Sequence, residues 1–447
     1  MMIRYIKLNN YKSFVDFKAD FMKTKDISKK LVLIYGENGI GKSNLANAFY
    51  TLNETMRTMA ANEFAKNLLD QFSQSEDSDK ESSKVAINFA NSIIKANYKD
   101  TKMIIDEYKT IDSTDNMILE YGFTLNDQDG VYRIEFDNEK IVSEKLDYAL
   151  NKNMTNYFNI NTNNIKINAN IFKDKKYYNE FIELLNKYWS KHSFMSILSY
   201  EIDDKKIEYM KNAINVNLYN VLKYLKGIST KINGKNNSEF GMIRMNRHIL
   251  KNLDNGKILI KDEEDLNKTE YLLNEIFTSL YSDIKRVYYK KNYEDNYVKY
   301  HLYFKKMIYG KIKDINFSLE STGTQNILNI IPYLIAACEG QTVIIDELDT
   351  GIHDLLIKGL LECVVPYIKG QLIITTHNTI LINSMPTGSI YIFRANKNAE
   401  KTLISLDDFQ ERIQKNNNPQ KKYLSGLFGG VPIISDIDFE ELIDNLK

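Results

Sequence analysis

Along residues 1–35 apolar and polar positions alternate in short runs, Ile3-Arg4-Tyr5-Ile6-Lys7-Leu8 and then Phe14-Val15-Asp16-Phe17. The unbroken apolar run Leu31-Val32-Leu33-Ile34-Tyr35 follows. A two-residue period predicts half-buried strands, and a continuous apolar run predicts a strand covered on both faces. From Asn44 the chain turns to helix-forming sequence that continues to residue 69, and 71–84, rich in Ser, Asp, Glu and Lys, predicts a solvated loop. Residues 117–136 predict a hairpin turning at Asn126-Asp127-Gln128-Asp129-Gly130. Past residue 150 the pattern becomes amphipathic and rich in Lys and Asn, with segments at 177–189, 207–225 and 265–280. They predict a mainly helical insertion over 151–300. Sustained heptads are absent, which argues against long coiled-coil arms. Residues 286–317 return to strand-like sequence, and beyond 318 helix and apolar strand alternate. The expected fold is α/β, with an N-terminal lobe 1–150, the insertion 151–300 and a C-terminal lobe 301–447.

Charge and cysteine content narrow the classes. The 447 residues carry 59 Lys plus Arg against 59 Asp plus Glu, so no global field draws the chain to nucleic acid or an acidic membrane. Cys338 and Cys363 lie among apolar residues and predict buried thiols in a reducing compartment. No apolar run is long enough to span a bilayer, and the N-terminus lacks a signal-peptide pattern. A soluble cytoplasmic protein is expected.

The chemistry begins at Gly36-Glu37-Asn38-Gly39-Ile40-Gly41-Lys42-Ser43. It fits the phosphate-loop pattern G-x-x-x-x-G-K-[ST] in the setting that pattern requires, after a buried strand and before a helix. The glycines let backbone N–H groups and a helix N-terminus face a polyphosphate. Lys42 would reach the outer phosphates, and the Ser43 hydroxyl would ligate Mg²⁺. Thr342-Val343-Ile344-Ile345-Asp346-Glu347 is an apolar strand ending in two acids. Asp346 can hold the Mg²⁺ shell and Glu347 can take a proton from an attacking water. The next strand, Gln371-Leu372-Ile373-Ile374-Thr375-Thr376-His377, ends in a histidine able to bond a γ-phosphate or orient water. Ser321-Thr322-Gly323-Thr324 opens a helix, making a further anion-accepting N-terminus.

In this order the motifs resemble the ATP-binding-cassette (ABC) ATPases, in the branch holding chromosome-maintenance (SMC) proteins, RecF and the OLD-type ATPases. Ile6-Lys7-Leu8-Asn9-Asn10-Tyr11-Lys12-Ser13-Phe14 and the loop running on to Asn44 look like that branch. The resemblance implies a P-loop ATPase head of mixed sheet and helices, binding ATP and Mg²⁺. It places Walker A at 36–43 and Walker B at 342–347, with a D-loop at Asp349-Thr350-Gly351. The signature would be Ser321-Thr322-Gly323, acting in trans, and the switch histidine His377. A narrower likeness is to stand-alone AAA-family, OLD-like ATPases of abortive infection. It rests on Glu320 to Thr324, Thr375 to His377 and the tail Tyr423-Leu424-Ser425-Gly426-Leu427-Phe428-Gly429-Gly430-Val431-Pro432. Two features depart from the relatives: the signature lacks Ser-Gly-Gly-Gln, and about seventy residues after His377 are too few for the Toprim domain of OLD nucleases. Gln71 and Gln74 are the candidates for a Q-loop glutamine by position.

The resemblance implies a homodimer, or a multiple of dimers, closed around nucleotide. A protein effector, nuclease or toxin, encoded nearby would be its partner, in antiphage defence and without a membrane. The alternatives are a RecF-like DNA-repair ATPase and an ATP-locked scaffold that sequesters a toxin. Arg286 to Lys313 interleaves Tyr with Lys, as nucleic-acid surfaces do, but the same alternation describes a half-exposed strand, which is the reading preferred.

Overall fold

A computed structural model describes residues 2–73, 99–151, 153–233, 239–243, 249–250, 252–409, 418–432 and 436–446. Its centre is a seven-stranded sheet in the order Glu239–Met242, Ser229–Asn233, Thr342–Ile345, Gln371–Thr375, Leu31–Tyr35, Ile390–Ala395, Lys401–Ser405. The inner strands are all parallel, and the two edge strands pair antiparallel. Because side chains alternate along a strand, Leu31–Tyr35 feeds two cores. Val32 and Ile34 face the helix Lys42–Thr55 and a second sheet, while Leu31, Leu33 and Tyr35 face the helices Glu263–Leu280, Thr322–Cys338 and Asp354–Val364. Every residue of Leu31–Tyr35 is buried, as its unbroken apolar run requires.

The second sheet is antiparallel and also seven-stranded: Asn164–Ile167, Met154–Asn161, Ile141–Ala149, Gln128–Phe136, Met117–Leu125, Met2–Tyr11, Phe14–Asp20. Gln371 ties it to the central sheet. Its Oε1 accepts from Ile3 N at 2.8 Å and its Nε2 donates to Ile3 O at 3.0 Å. A smaller sheet pairs Ile284–Glu294 with Tyr297–Ile308, and Asn255–Leu259 and Lys311–Asn316 pair with the latter. This is the Tyr–Lys stretch, and it is strand: Tyr289 and Tyr300 are buried, their rings edge to face at 5.2 Å, while Lys290 and Lys299 point to solvent.

Several expectations are corrected. The stretch 151–300 holds more helix than strand, yet it also supplies strands to both large sheets. Met154–Asn161 extends the second sheet, and Ser229–Asn233 enters the central sheet beside Thr342–Ile345. In Ser229–Asn233 only Ile232 is a large apolar residue, so no apolar run marks the strand; its parallel ladder to Thr342–Ile345 makes it one. The segment 207–225 is two helices, Ile207–Ala213 and Val216–Leu225, parted where the Asn215 side chain accepts from Asn217 N at 2.8 Å. The helix after the phosphate loop likewise ends at Thr55 and restarts as Thr58–Ser73, where Ser196 Oγ accepts from Met59 N at 2.9 Å. The hairpin turn is only Asn126-Asp127, both left-handed at φ 51° and 57°, the geometry that suits strand twist. Cys338 is half-buried and Cys363 exposed, because Asp354–Val364 buries the face of Ile357, Leu360 and Leu361 instead. Of the expected loop 71–84, residues from 74 onward lie outside the described residues. No described helix is long and apolar enough to cross a membrane.

Candidate functional site

Three neighbouring parallel strands deliver the candidate residues to one edge of the central sheet. Gln371–Thr375 lies in the middle, with Thr342–Ile345 on one side and Leu31–Tyr35 on the other. The register pairs Ile345 with Ile374 and Thr375 with Ile34, so the three strands end level. This edge, at the carboxyl ends of parallel strands, is where α/β sheets hold ligands.

The loop after Tyr35 turns at Gly41, whose φ of 122° L side chains rarely adopt; a Cβ there would also meet the Phe14 ring at 3.0 Å. Lys42 then opens the helix Lys42–Thr55. The Lys42 ammonium is buried and donates back to Gly36 O at 2.7 Å and Glu37 O at 3.0 Å. Burial holds its pKa below the ordinary lysine value, while Asp346, Glu347, Asp349 and Glu37 pull the other way. A cation costly to keep dry is thereby poised among acids at the head of a helix.

Asp346 is fully buried at the end of its strand. Its Oδ1 accepts from Thr375 Oγ1 at 2.6 Å. Burial raises its pKa, and Thr375, Ser43 and Lys42 lower it while the Glu347 charge raises it further. Ser43 thus stands beside the carboxylate, yet Oδ2 is buried with no hydrogen-bond partner among the described residues. A buried, unpaired carboxylate oxygen next to a hydroxyl fits Mg²⁺, which takes one or two protein oxygens and fills its shell with phosphate and water. Ser43 and Asp346 would hold the ion, which when bound neutralises charge on the outer phosphates.

Glu347 sits at φ 50°, a strained value for a side chain of its size, and its amide donates to Thr375 Oγ1 at 2.8 Å. Thr350 Oγ1 donates to Glu347 Oε2 at 3.3 Å. The His377 amide donates to Asp349 Oδ2 at 3.1 Å, and its ring is exposed. Partial desolvation and then Lys42 hold the His377 pKa below the usual imidazole value, so the ring is neutral at pH 7.

Ser321 caps the helix Thr322–Cys338, its Oγ accepting from Thr324 N at 3.3 Å. That helix meets the turn Asp349-Thr350-Gly351. Asn326 Nδ2 donates to Thr350 O at 2.8 Å, and a Cβ on Gly323 would lie 2.6 Å from Gly351 O. Ser321-Thr322-Gly323 therefore reaches the acids through this turn, and among the described residues no hydrogen bond joins Ser321 or Thr322 to the phosphate loop. Gln74 and the side chain of Gln71 lie outside the described residues.

A family model described as "AAA domain, putative AbiEii toxin, Type IV TA system" matches residues 31–383. The chain belongs to this AAA family. The match begins on the strand before the phosphate loop and ends beyond His377. It therefore spans the phosphate loop, Ser321-Thr322-Gly323, both acids, His377 and the 151–300 stretch, but neither Ile6 to Phe14 nor the tail from Tyr423. The AAA chain is a P-loop ATPase with a mixed α/β fold. It is similar to a solved SmcHead bound to the C-winged helix domain of ScpA, at 11% identity and TM-score 0.46, covering 91% of this chain and 98% of that one. A second likeness is an SMC head domain from Thermotoga maritima, at 12% identity and TM-score 0.37, covering 91% and 99%. A third is an Smc head with an extended coiled coil bound to the C-terminal domain of ScpA, derived from Pyrococcus furiosus, at 12% identity and TM-score 0.40, covering 96% and 99%. No curated protein matches the chain.

Two residues at or beside the candidate site escape the sequence reading. Thr375 bonds both acids, and the only signal for it was its place in Thr375-Thr376-His377. Lys401 donates to Ser13 Oγ beside the loop from 388 residues away, which no local pattern could reveal.

Proposed function

We propose that this AAA-family chain binds Mg-ATP, hydrolyses it within a dimer closed around the nucleotide, and uses that cycle to control a protein effector in antiphage defence. One observation carries the ATPase part: Lys42, Ser43, Asp346, Glu347 and His377 converge at the level ends of three adjacent parallel strands. The loop from Gly36 to Asn44 would cradle the phosphates through its N–H groups, with Glu37, Asn38, Gly39 and Ile40 forming its turn. Lys42 would exchange its loop carbonyls for the outer phosphates. Glu347, oriented by Thr350 and by the strained turn, would accept the proton of the attacking water. His377, neutral at pH 7, would bond the γ-phosphate, and Asp349-Thr350-Gly351 would join the acids to the signature helix.

The family description, which names a putative toxin of a type IV toxin–antitoxin system, supports a toxin–antitoxin setting for the cycle. In the Tyr–Lys strands Tyr289 and Tyr300 are buried and closed to bases while Tyr293 and Tyr297 are exposed, so a RecF-like DNA role stands as the alternative reading.

The test is nucleotide turnover by purified variants. Lys42→Ala should lose binding or hydrolysis, and normal turnover would sink the ATPase reading. Glu347→Gln should still bind Mg-ATP while hydrolysing it about 10²–10⁴-fold more slowly. A small protein retained by Glu347→Gln in ATP is the expected sign of the effector; stimulation by duplex DNA with no retained protein would favour the repair alternative.

A further inference from the structure

We propose that Lys401 is a second phosphate-binding cation of the nucleotide site, contacting the α-phosphate end of a bound nucleoside di- or triphosphate. The inference rests on the nucleotide reading given above. Lys401 opens the edge strand Lys401–Ser405, whose neighbour Ile390–Ala395 pairs directly with the phosphate-loop strand. Its Nζ donates to Ser13 Oγ at 2.5 Å, and Asn44 Nδ2 donates to the same oxygen at 2.7 Å. Three distant segments thus meet at one point: the turn between the first two strands, the helix behind the loop, and the C-terminal hairpin. The ammonium also stands 5.4 Å from the Phe14 ring centroid and 3.5 Å from where a Cβ on Gly41 would lie. It therefore borders the last glycine of the loop.

The surroundings leave this charge undercompensated. Among the described residues its contacts are a hydroxyl and the Phe14 ring, and no carboxylate forms an ion pair with it. Desolvation holds its pKa below the ordinary lysine value. An approaching phosphate would replace that deficit with charge-assisted bonds. Ser13 already accepts from two donors, so its own proton is left to donate to the same anion.

Position along the polyphosphate follows from the acids. Lys42 feels Asp346, Glu347 and Asp349, and the terminal phosphate must lie on that side if Glu347 is to act on a water. Among the described residues no carboxylate influences Lys401 in the same way. A chain of phosphates whose terminal end faces the acids leaves its α end toward Gly41, Asn44 and Lys401.

The experiment is equilibrium binding of ATP and of ADP to the full chain, its Lys401→Met and Lys401→Arg variants, with thermal unfolding as the check on fold. Because both nucleotides carry an α-phosphate, Lys401→Met should weaken both by the same factor, about tenfold or more. Lys401→Arg should recover most of the loss, and Lys401→Gln takes the place of Lys401→Met if that variant does not fold. Unchanged affinities, or a loss confined to ATP, would overturn the assignment while leaving the ATPase reading intact. A wild-type chain that binds neither nucleotide would overturn both.

Discussion

Thr375 donates its hydroxyl to Asp346 and accepts the Glu347 amide, so one buried side chain orients both acids. Thr375→Val keeps the shape and removes both bonds, leaving a buried carboxylate oxygen and a buried N–H unpaired at about 1–3 kcal/mol each. The variant should melt earlier and hydrolyse ATP at least about tenfold more slowly, with Thr375→Ser close to wild type. Wild-type melting and turnover in Thr375→Val would show that the acids hold themselves in place. Away from the site, Glu144 is fully buried on Ile141–Ala149 and accepts from Tyr132 OH at 2.9 Å, Trp189 Nε1 at 3.1 Å, Phe194 N at 2.6 Å and Met195 N at 3.3 Å. Burial outweighs these donors and pushes its pKa from 4.5 up to about 7. The folded state then holds the proton more tightly than the unfolded chain, so stability is full below pH 4.5 and falls as pH rises to about 7. At about 1.36 kcal/mol per pH unit the loss is about 3 kcal/mol. Denaturant unfolding at several pH values should show this slope in wild type and not in Glu144→Gln; equal slopes would mean another group titrates. Lys42 stands in a glycine-spaced pattern of its own, while Asp346, Glu347 and His377 follow apolar runs and could be found in the sequence because a strand announces its own end. Glu144 could not, since its partners come from three separate elements.

At the level of elements, the signature helix and the turn after the acids are held by one close approach. A Cβ on Gly323 would lie 2.6 Å from Gly351 O, backbone against backbone, with no flexible side chain to yield. Gly323→Ala must therefore push Thr322–Cys338 away from Asp349-Thr350-Gly351 and strain the Asn326–Thr350 bond. Hydrolysis should fall by about tenfold or more, since a displacement of the order of 1 Å at a positioned group costs up to about 10²-fold. Nucleotide binding by the Walker A loop should persist in Gly323→Ala. A variant with unchanged hydrolysis would show that the helix moves independently of the acids. The elements involved were legible in uneven degree. Leu31–Tyr35, Thr342–Ile345 and Gln371–Thr375 are apolar throughout or nearly so because both faces are covered, and such runs stand out. Ser229–Asn233 is mostly polar, and Met154–Asn161 breaks up its apolar residues with three asparagines; both become strands through their neighbours. Spacing gave the helices near 177–189 and 207–225 their existence but missed Phe194–Asp204, which Ser193 caps, and the break that Asn215 sets by capping Val216–Leu225.

For the whole molecule the question is how one chain with one phosphate loop uses a second anion-ready helix start. Ser321 caps Thr324, and the Thr322 and Gly323 amides belong to a first turn that has no intrahelical acceptors. These donors have no hydrogen bond to the chain's own loop among the described residues, so the proposed dimer gives them a ligand: the nucleotide held by the other subunit. ATP would favour that closed dimer only through contacts made there and not in the monomer. Ser321→Arg should block closure with the loop intact, and Lys42→Ala should disable the loop with the signature intact. Each variant alone should then be inactive. On mixing, roughly half the dimers pair the two variants if association is random. Each such dimer holds one site with native Lys42 and native Ser321, and one site broken twice, so hydrolysis should return to about a quarter of the wild-type rate if sites fire independently. If both sites must fire together, activity stays absent, yet the mixture should still dimerise in ATP when the sedimentation of Glu347→Gln subunits carrying the same changes is measured. A Glu347→Gln chain that remains monomeric with saturating ATP, together with mixtures that never recover, would rule the shared site out.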